Sequence, residues 1–306
     1  MSIERPIRIA TRESALAMWQ TRHVAQRLQQ AHPGAQIEII PMTTKGDQML
    51  DRSLASIGGK GLFLKELEKA MLDGEADIAV HSMKDVPYQM PGEFRIGAIL
   101  ERANPLDALV GCSNLDQLAK GAVVGTSSLR RRGQLLAMRP DLKIKDLRGN
   151  VNTRLAKLDS GQYDAIVLAA AGLTRLGMEQ RIGGLLAPPQ WLPAAAQGAI
   201  GIECLVDDHE IVPLLQDLHH ETTASRVCAE RAVAAQLGAD CHMPLAAFAT
   251  LDGGQLHLKA RVLAVDGQQL LDAEATGPVE RWSDLGAEVG CKLLELGADD
   301  CLATTQ

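Results

Sequence analysis

The stretch that most constrains this chain is a short apolar run that leads directly into a group of reactive side chains. Residues 77–80 are predicted to form a buried strand, because this apolar run follows a helix stopped at Gly74. In α/β proteins, polar residues just past the carboxyl end of a strand line the ligand crevice. An ordinary solvated strand-to-loop turn is the alternative. The polar residues before Pro87 are His81, Ser82, Lys84 and Asp85.

Strand and helix patterns alternate along most of the chain and predict an α/β fold. Ser14 is the predicted N-cap of the first helix, and Thr222 is predicted to cap a long helix that runs to Leu237. Hairpin signals at 252–254 and 266–267 indicate a small α+β domain near the carboxyl end. The predicted strands include residues 7–11, 37–42, 95–100, 107–111, 143–147 and 197–203.

Composition excludes several classes of protein. No apolar run is long enough to cross a bilayer, so no membrane contact is expected. The amino-terminal residues lack the apolar core of a signal peptide, which predicts a cytoplasmic protein. The six cysteines contain no C-x-x-C pair, which argues against a zinc ribbon or a thioredoxin-like site. The adjacent His219, His220 and Glu221 have no partner triad, so they are predicted to be a solvated linker and no metal is expected.

Positive charge is concentrated in one segment. Residues 126–154 hold eight basic and two acidic side chains, a net +6, so the rest of a chain of net charge −7 carries −13. Such a segment in an acidic protein predicts a site for an anionic ligand. Nucleic acid is the other candidate, but only eight residues are aromatic and none interleaves with the arginines. The basic residues are Arg130, Arg131, Arg132, Arg139, Lys143, Lys145, Arg148 and Arg154.

Several of these cations lie where helices are predicted to begin. Thr126 to Ser128 precede a predicted helix, and a helix N-terminus with free N–H groups binds anions. Arg130 and Arg131 add forked donors that suit carboxylates. Arg12 lies at a strand-to-helix junction, where either an anion contact or a surface salt bridge is expected. Arg154 lies in the first turn of a helix, where the dipole disfavours a cation unless an anion is present.

Two loops and a weak repeat leave alternatives open. Gly58 to Gly61 surround Lys60, which predicts either a mobile flap or a plain connector. Cys241 lies in a loop beside His242, so it is either a reactive thiol or an unimportant one. Residues 71–80 resemble residues 157–167, which indicates either two similar α/β domains or the general likeness of any two such units.

Seven motifs, in order and over essentially the whole chain, resemble those of the porphobilinogen deaminase family. The resemblance implies three α/β domains, of which the first two are doubly wound and similar to the lobes of periplasmic binding proteins. Domain 1 would comprise residues 1–100 and 199–216, and domain 2 residues 101–198. Domain 3, a small α+β domain, would comprise residues 217–306 and carry a cofactor cysteine. The motifs lie at residues 8–12, 58–63, 80–87, 125–131, 147–150, 164–169 and 193–198.

The resemblance also implies an activity. Members of the family join four porphobilinogen molecules head to tail into hydroxymethylbilane and release ammonia, using a covalently held dipyrromethane as primer. Cys241 lies at the position of the thioether cysteine, and Asp85 matches the catalytic aspartate. Porphobilinogen is then the expected partner of a monomeric enzyme that binds no nucleic acid. Where the family has Gly-Gly before the cysteine, this chain has Ala239-Asp240.

Further residues match positions that bind ligands in the family. The implied cofactor-binding residues, besides Cys241, are Lys84, Ser128, Arg130, Arg131, Asp47 and Thr126. The implied substrate-binding residues are Arg12, Arg148, Arg154, Arg175, Ser14, Gln20 and Gln197. Lys60 and Phe63 match a flexible loop.

Two other functions fit parts of the sequence. A non-catalytic two-lobed protein that binds a small polycarboxylate would explain the arginines but not the third domain. The effector-binding half of a transcription regulator would need a helix-turn-helix signal, which the sequence lacks. Replacing Asp85 by alanine separates an enzyme from an anion binder, because only the enzyme should lose its turnover.

Overall fold

The elements of this chain, in a computed structural model that describes residues 5–43, 64–239 and 243–303, are as follows. The first group is β1 (Ile7–Arg12), α1 (Ala15–Ala31), β2 (Ile37–Met42), α2 (Lys65–Leu72), β3 (Ile78–Ser82), a 3₁₀ turn (Met83–Asp85) and β4 (Phe94–Ile99). There follow β5 (Asp107–Val110), a 3₁₀ turn (Leu115–Gln117), β6 (Val123–Gly125), α3 (Leu129–Met138), β7 (Lys143–Lys145), α4 (Val151–Asp159), β8 (Ala165–Ala169), α5 (Ala170–Arg175), a 3₁₀ turn (Glu179–Arg181) and β9 (Gly184–Leu186). The last group is β10 (Ile200–Leu205), α6 (Ile211–Gln216), α7 (Glu221–Gln236), β11 (Leu245–Asp252), β12 (Gln255–Leu263), β13 (Leu270–Pro278), a 3₁₀ turn (Val279–Arg281), α8 (Trp282–Glu295) and α9 (Ala298–Ala303).

The chain forms two compact units. One consists of Met1–Arg102 with Ala199–Ala224, and the other of Ala103–Gly198 with Ser225–Gln306. The second unit therefore includes both the middle sheet and the carboxyl-terminal sheet. The division into three domains, with the boundaries given above, stays a prediction.

The first unit is built on a five-stranded sheet in the order β2-β1-β3-β10-β4. Strands β1, β2 and β3 are parallel, and β10 runs antiparallel to β3 and β4. One face packs Ile9, Val80 and Ile202 with Val24 and Leu28 of α1. The other face is narrower and richer in alanine, and it packs against α2. Burial on both faces explains why β3 is a continuous apolar run rather than an alternating one.

A buried carboxylate ties β3 to β1 in this sheet. Asp77 accepts from the backbone N–H of Arg8 at 2.7 Å, and it also pairs with the side chains of Arg8 and Arg5, each at 2.8 Å. Burial alone would raise the pKa of Asp77, but the hydrogen bonds from Arg8 and the charge of Arg5 outweigh it and lower the pKa. Asp164 occupies the matching place before β8, where it accepts from the backbone N–H of Val123.

This contact predicts a loss of stability in Asp77→Asn. At neutral pH the variant should lose about 1.5–3 kcal/mol, because hydrogen bonds to a charged group are removed from a buried site. A carboxylate whose pKa is lowered by folding stabilises above its unfolded pKa of about 3.9 and stops doing so as the pH falls. The difference in unfolding midpoint between wild type and variant should therefore shrink from pH 7 to pH 3. Asp164→Asn is the matched control, and its exposed side chain with no arginine partner should give a smaller effect; an equal loss in both would contradict the account.

The second unit contains two sheets. The middle sheet has the order β7-β6-β8-β5-β9, with β6 parallel to β7 and β8 and with β5 antiparallel to β8 and β9. Its parallel strands and single inner antiparallel strand repeat the arrangement of the first sheet. The carboxyl-terminal sheet is an antiparallel meander, β11-β12-β13, covered on one face by α7, α8 and α9.

The two parts of the second unit are joined through α3. Arg261 of β12 pairs with Asp272, and its Nη1 donates to the backbone oxygen of Gln190 at 2.8 Å. Gly133 of α3 lies so close to Leu263 and the backbone oxygen of Ala264 that an added Cβ would be 2.9 Å from each. This close packing fixes α3, which begins at the predicted anion site, against the carboxyl-terminal sheet.

Most predicted elements are present, and four differ in informative ways. His81 and Ser82 lie inside β3 rather than after it, because pairing with β10 extends the strand. The returning strand begins at Ile200 instead of 197, and β7 ends at Lys145 instead of 147. Helix α7 begins at Glu221, so the prediction that Thr222 caps it was wrong. His220 takes that role, since its Nδ1 accepts from the N–H of Thr223.

Candidate functional site

In the first unit the candidate catalytic residues lie on a short rigid turn. Lys84 and Asp85 belong to the 3₁₀ turn that follows β3, and Met83 at its start is buried. The N–H of Met83 donates to the backbone oxygen of Ala199 at 3.0 Å, and the N–H of Val86 donates back to Met83. Asp85 is exposed and Lys84 is half-buried. The turn thus presents a carboxylate and an ammonium group at the carboxyl end of a central strand.

The other predicted residues of the first unit lie at the start of α1. Ser14 is the N-cap, as predicted, and its Oγ accepts from the N–H of Ala17 at 3.4 Å. Arg12 ends β1 and is half-buried. Gln20 is buried, and its Nε2 donates to the Oγ of Ser82 at 2.9 Å. The sheet order places β1 and β3 side by side, so these residues lie at one edge with the Lys84–Asp85 turn.

In the second unit, the sequence did not indicate the residue at the centre of the site. Asp107, at the start of β5, is fully buried. Its carboxylate pairs with Arg130 at 2.8 Å and with Arg131 at 2.7 Å. It also accepts from the Nε1 of Trp191 at 2.7 Å and from the Nε2 of Gln197 at 2.9 Å. The only sequence signal was a charged residue at the head of an otherwise apolar strand.

This cluster is electrostatically unbalanced. Arg130 and Arg131 are 4% and 6% exposed and share the single carboxylate of Asp107, so two buried cations face one buried anion. Burial alone would raise the pKa of Asp107, but the charges of the two arginines outweigh it and hold that pKa well below its usual range. Burial lowers the pKa of Arg130. A surplus of buried positive charge is stabilised by an anionic ligand.

The remaining hydroxyl and amide groups surround this cluster. The Oγ of Ser128 caps α3 by accepting from the N–H of Arg131, and the Oγ1 of Thr126 accepts from the N–H of Ser128. Gln197 also donates to the backbone oxygen of Pro105 at 2.8 Å. The predicted helix start with its hydroxyl groups is therefore present. Some of its polar groups bond to one another.

The other predicted arginines lie at the ends of β7, α4 and α5. Arg175 is buried in α5 and donates to the backbone oxygen of Gly198 at 2.7 Å, and burial lowers the pKa of Arg175 to about 10. Arg154 lies in the first turn of α4, where its Nε donates to the backbone oxygen of Gly149 at 2.7 Å. Arg148 is half-buried and lies 3.7 Å from Asp146.

The loop that contains the candidate anchor cysteine begins at a well-defined helix end. Helix α7 closes with Gly238 at φ +59°, where the N–H of Gly238 donates to Ala235 and the N–H of Ala239 donates to Ala234. Ala239 is buried in the carboxyl-terminal core and is not among the positive-φ residues. The substitution of the family's first glycine is therefore accommodated at position 239. Asp47, Lys60, Phe63, Asp240 and Cys241 lie outside the described residues.

The segment at His219 and His220 is structural rather than a solvated linker, which corrects the sequence prediction. Both residues are half-buried in the first unit. The Nδ1 of His219 accepts from the N–H of Ile99 at 3.2 Å, and the N–H of His220 donates to the backbone oxygen of Ile99 at 2.8 Å. Within the described ranges no group of three or more His, Cys, Asp or Glu is arranged to hold a metal ion.

Two family models match this chain. The model described as "Porphobilinogen deaminase, dipyromethane cofactor binding domain" matches residues 7–213, and the model described as "Porphobilinogen deaminase, C-terminal domain" matches residues 224–295. With the cationic site above, they define a transferase of tetrapyrrole synthesis that works with a bound dipyrromethane. The chain belongs to the porphobilinogen deaminase family. Its activity is hydroxymethylbilane synthesis from porphobilinogen.

Solved structures with a similar fold are distant. The periplasmic VFT2 domain of Bordetella pertussis BvgS is 18% identical, with a TM-score of 0.42, over 69% of this chain and 86% of that one. The second substrate-binding domain of a putative amino acid ABC transporter from Streptococcus pneumoniae is 15% identical, with a TM-score of 0.43, over 70% of this chain and 92% of that one. The predicted α/β architecture, with lobes like those of periplasmic binding proteins and a small carboxyl-terminal domain, is confirmed.

The residues present fit a dipyrromethane. That group carries acetate and propionate carboxylates, and the Arg130–Arg131–Asp107 cluster holds one more positive than negative charge in a buried setting. Charge-assisted bonds from guanidinium forks are the strongest that such carboxylates can accept. None of the helices described here is both long and apolar enough to span a membrane.

Proposed function

We propose that Asp85 is the catalytic carboxylate of this enzyme and that Cys241 holds the dipyrromethane through a thioether. Asp85 is supported by its exposed position on a turn whose first residue is buried and hydrogen-bonded. Positive charge develops on a pyrrole ring as ammonia leaves, and a carboxylate fixed beside the ring stabilises that charge. When bound, the dipyrromethane supplies the primer pyrrole to which substrate units are joined.

We further propose that the arginine-rich surfaces bind the carboxylates of cofactor and substrate. The observation that carries this proposal is the pair of buried arginines that share Asp107. Lys60 and Phe63 would belong to a flexible loop beside the site. The proposed cofactor contacts are Lys84, Asp47, Thr126, Ser128, Arg130 and Arg131. The proposed substrate contacts are Arg12, Ser14, Gln20, Arg148, Arg154, Arg175 and Gln197.

Three broader statements belong to the same proposal. The chain would consist of three domains with the boundaries predicted from the sequence. It would act as a cytoplasmic monomer without a nucleic-acid partner. The scarcity of aromatic residues among the arginines supports the last point.

The anchor is tested by the intact mass of the purified protein. Wild type should exceed the mass of the bare chain by two porphobilinogen units less two ammonia molecules. Cys241→Ser should have the bare mass, because the thioether needs the sulfur of residue 241. An unloaded wild type should gain the same increment on incubation with porphobilinogen.

A second cysteine variant makes this test specific. Cys291 is exposed and free, so Cys291→Ser should keep the full mass increment. An increment that persists in Cys241→Ser would exclude Cys241 as the anchor. Loss of the increment in Cys291→Ser alone would assign the anchor to the wrong domain position and would also contradict the proposal.

A further inference from the structure

We propose that His81 and Glu203 form a positioning pair that holds the turn carrying Lys84 and Asp85 in its active arrangement. The proposal rests on the catalytic role proposed above for Asp85. His81 lies near the end of β3, directly before the turn, and Glu203 lies on the neighbouring strand β10. The pair is a positioning element because neither side chain is placed to touch the substrate.

The contact is short and buried. The Nε2 of His81 lies 2.7 Å from the Oε2 of Glu203, and the two side chains are 6% and 0% exposed. In the antiparallel register His81 faces Gly201, and Glu203 faces Ala79, so the pair bridges the two strands diagonally. Both residues project to the alanine-rich face of the sheet, where α2 packs.

Stability does not explain this pair. Burial of ionisable groups carries a desolvation cost that often exceeds the gain from pairing. Here the Oε1 of Glu203 is buried and has no hydrogen-bond partner in the described part of the chain. Glu68 of α2 adds a second acid nearby, and its pKa is raised by burial and by the charge of Glu203. Apolar side chains would fill the space at lower cost, so a different requirement maintains the pair.

That requirement is visible in what else β10 contacts. The backbone oxygen just before β10, at Ala199, accepts from the N–H of Met83. Gly201 lies beneath the side chain of Met83 so closely that a Cβ there would overlap the Met83 sulfur. Glu203 then bonds His81. Three alternate residues of one chain segment, 199, 201 and 203, therefore support the residues that lead into Asp85.

The consequence is a fixed direction for an exposed side chain. A misplacement of about 1 Å in a catalytic group costs roughly 10²-fold in rate. Asp85 itself is exposed, so its own packing does not fix it. The His81–Glu203 pair and the Gly201–Met83 contact supply that constraint from the buried side of the turn.

The test compares variants that keep or remove the hydrogen bond. Glu203→Leu and His81→Leu should lower kcat by about 10²-fold with KM within about threefold of wild type. Glu203→Gln and His81→Gln retain an acceptor or a donor and should keep kcat within about fivefold. Cofactor loading is read by intact mass, so that turnover is counted per loaded molecule. A leucine variant with wild-type kcat would overturn the proposal, as would equal losses in the glutamine and leucine variants.

A matched control and a second route keep the result decisive if a leucine variant fails to fold. Asp77→Asn disrupts a buried carboxylate at the opposite end of β3 and should lower stability while leaving kcat unchanged. Gly201→Ala should lower kcat like the leucine variants, and the added change Met83→Ala should restore most of it by removing the overlap. No loss in Gly201→Ala would overturn the proposal.

Failure of this proposal can be told from failure of the proposed function. Asp85→Ala is measured beside the other variants. If Asp85→Ala keeps its turnover, the catalytic assignment of Asp85 is wrong. If Asp85→Ala is inactive and the leucine variants are fully active, only the positioning pair is wrong.

Discussion

Asp85→Ala should lower kcat by about 10²–10⁴-fold and leave KM for porphobilinogen nearly unchanged. The carboxylate acts on charge that exists only as ammonia leaves, so its loss raises the barrier without weakening ground-state binding. The proposed binding arginines are distributed over other elements and are untouched by this change. Steady-state kinetics, with turnover counted per cofactor-loaded molecule by intact mass, measures the effect.

A surface carboxylate near the same strand provides the control for Asp85. Glu75 is exposed and precedes β3 at its opposite end, so Glu75→Ala should keep both kcat and KM. A loss of less than tenfold in Asp85→Ala would remove Asp85 from the chemistry. The same result would make a proton or charge role at Lys84, the adjacent residue of the turn, the next hypothesis to test.

Local patterns were sufficient to predict those elements whose ends are set by nearby residues. The first strand, the Ser14 cap and the second strand followed from apolar runs and from a hydroxyl directly before a helix. The hairpins of the carboxyl-terminal sheet followed from Asp-Gly turns. In each case the residues that decide the structure lie within a few positions of one another in sequence, so the pattern contains the information.

The centre of the site could not be predicted in this way, because its contacts join distant parts of the chain. Asp107 meets Arg131 across 24 positions and Trp191 across 84. His81 meets Glu203 across 122 positions. Which acid faces which base depends on the strand order, and the strand order is set by packing of the whole sheet. The basic segment therefore correctly indicated an anion site, whereas the buried partner of its two central arginines was missed.

Two smaller differences have the same origin. The sequence favoured Thr222 as a cap because threonine is a common N-cap, but the backbone contact of His220 with Ile99 begins the helix one residue earlier. Alanine at 239 looked costly where the family has glycine. The helix instead ends on Gly238, which takes the left-handed conformation and leaves Ala239 free to pack in the core.

Asp107→Asn should be the most destabilising of the substitutions considered for the second unit. Removing one partner of a buried ionic cluster costs about 3–5 kcal/mol, because the remaining charges stay buried without compensation. Arg130 and Arg131 would then face each other with no carboxylate between them. The thermal midpoint of that unit should fall by about 6–20 °C, and cofactor loading should fall with it as the two arginines lose their orientation.

The comparison with an exposed pair and the dependence on pH make this prediction strict. Asp141 makes a similar two-point contact with Arg139, but both side chains are partly exposed, so Asp141→Asn should cost less than about 1 kcal/mol. Folding lowers the pKa of Asp107, so its contribution is complete well above the unfolded pKa of about 3.9 and is lost as the pH falls below it. The difference between wild type and Asp107→Asn should therefore be largest near neutral pH and should narrow in acid. A constant difference from pH 7 to pH 3, or equal losses in Asp107→Asn and Asp141→Asn, would mean that shape rather than charge holds the two arginines in place.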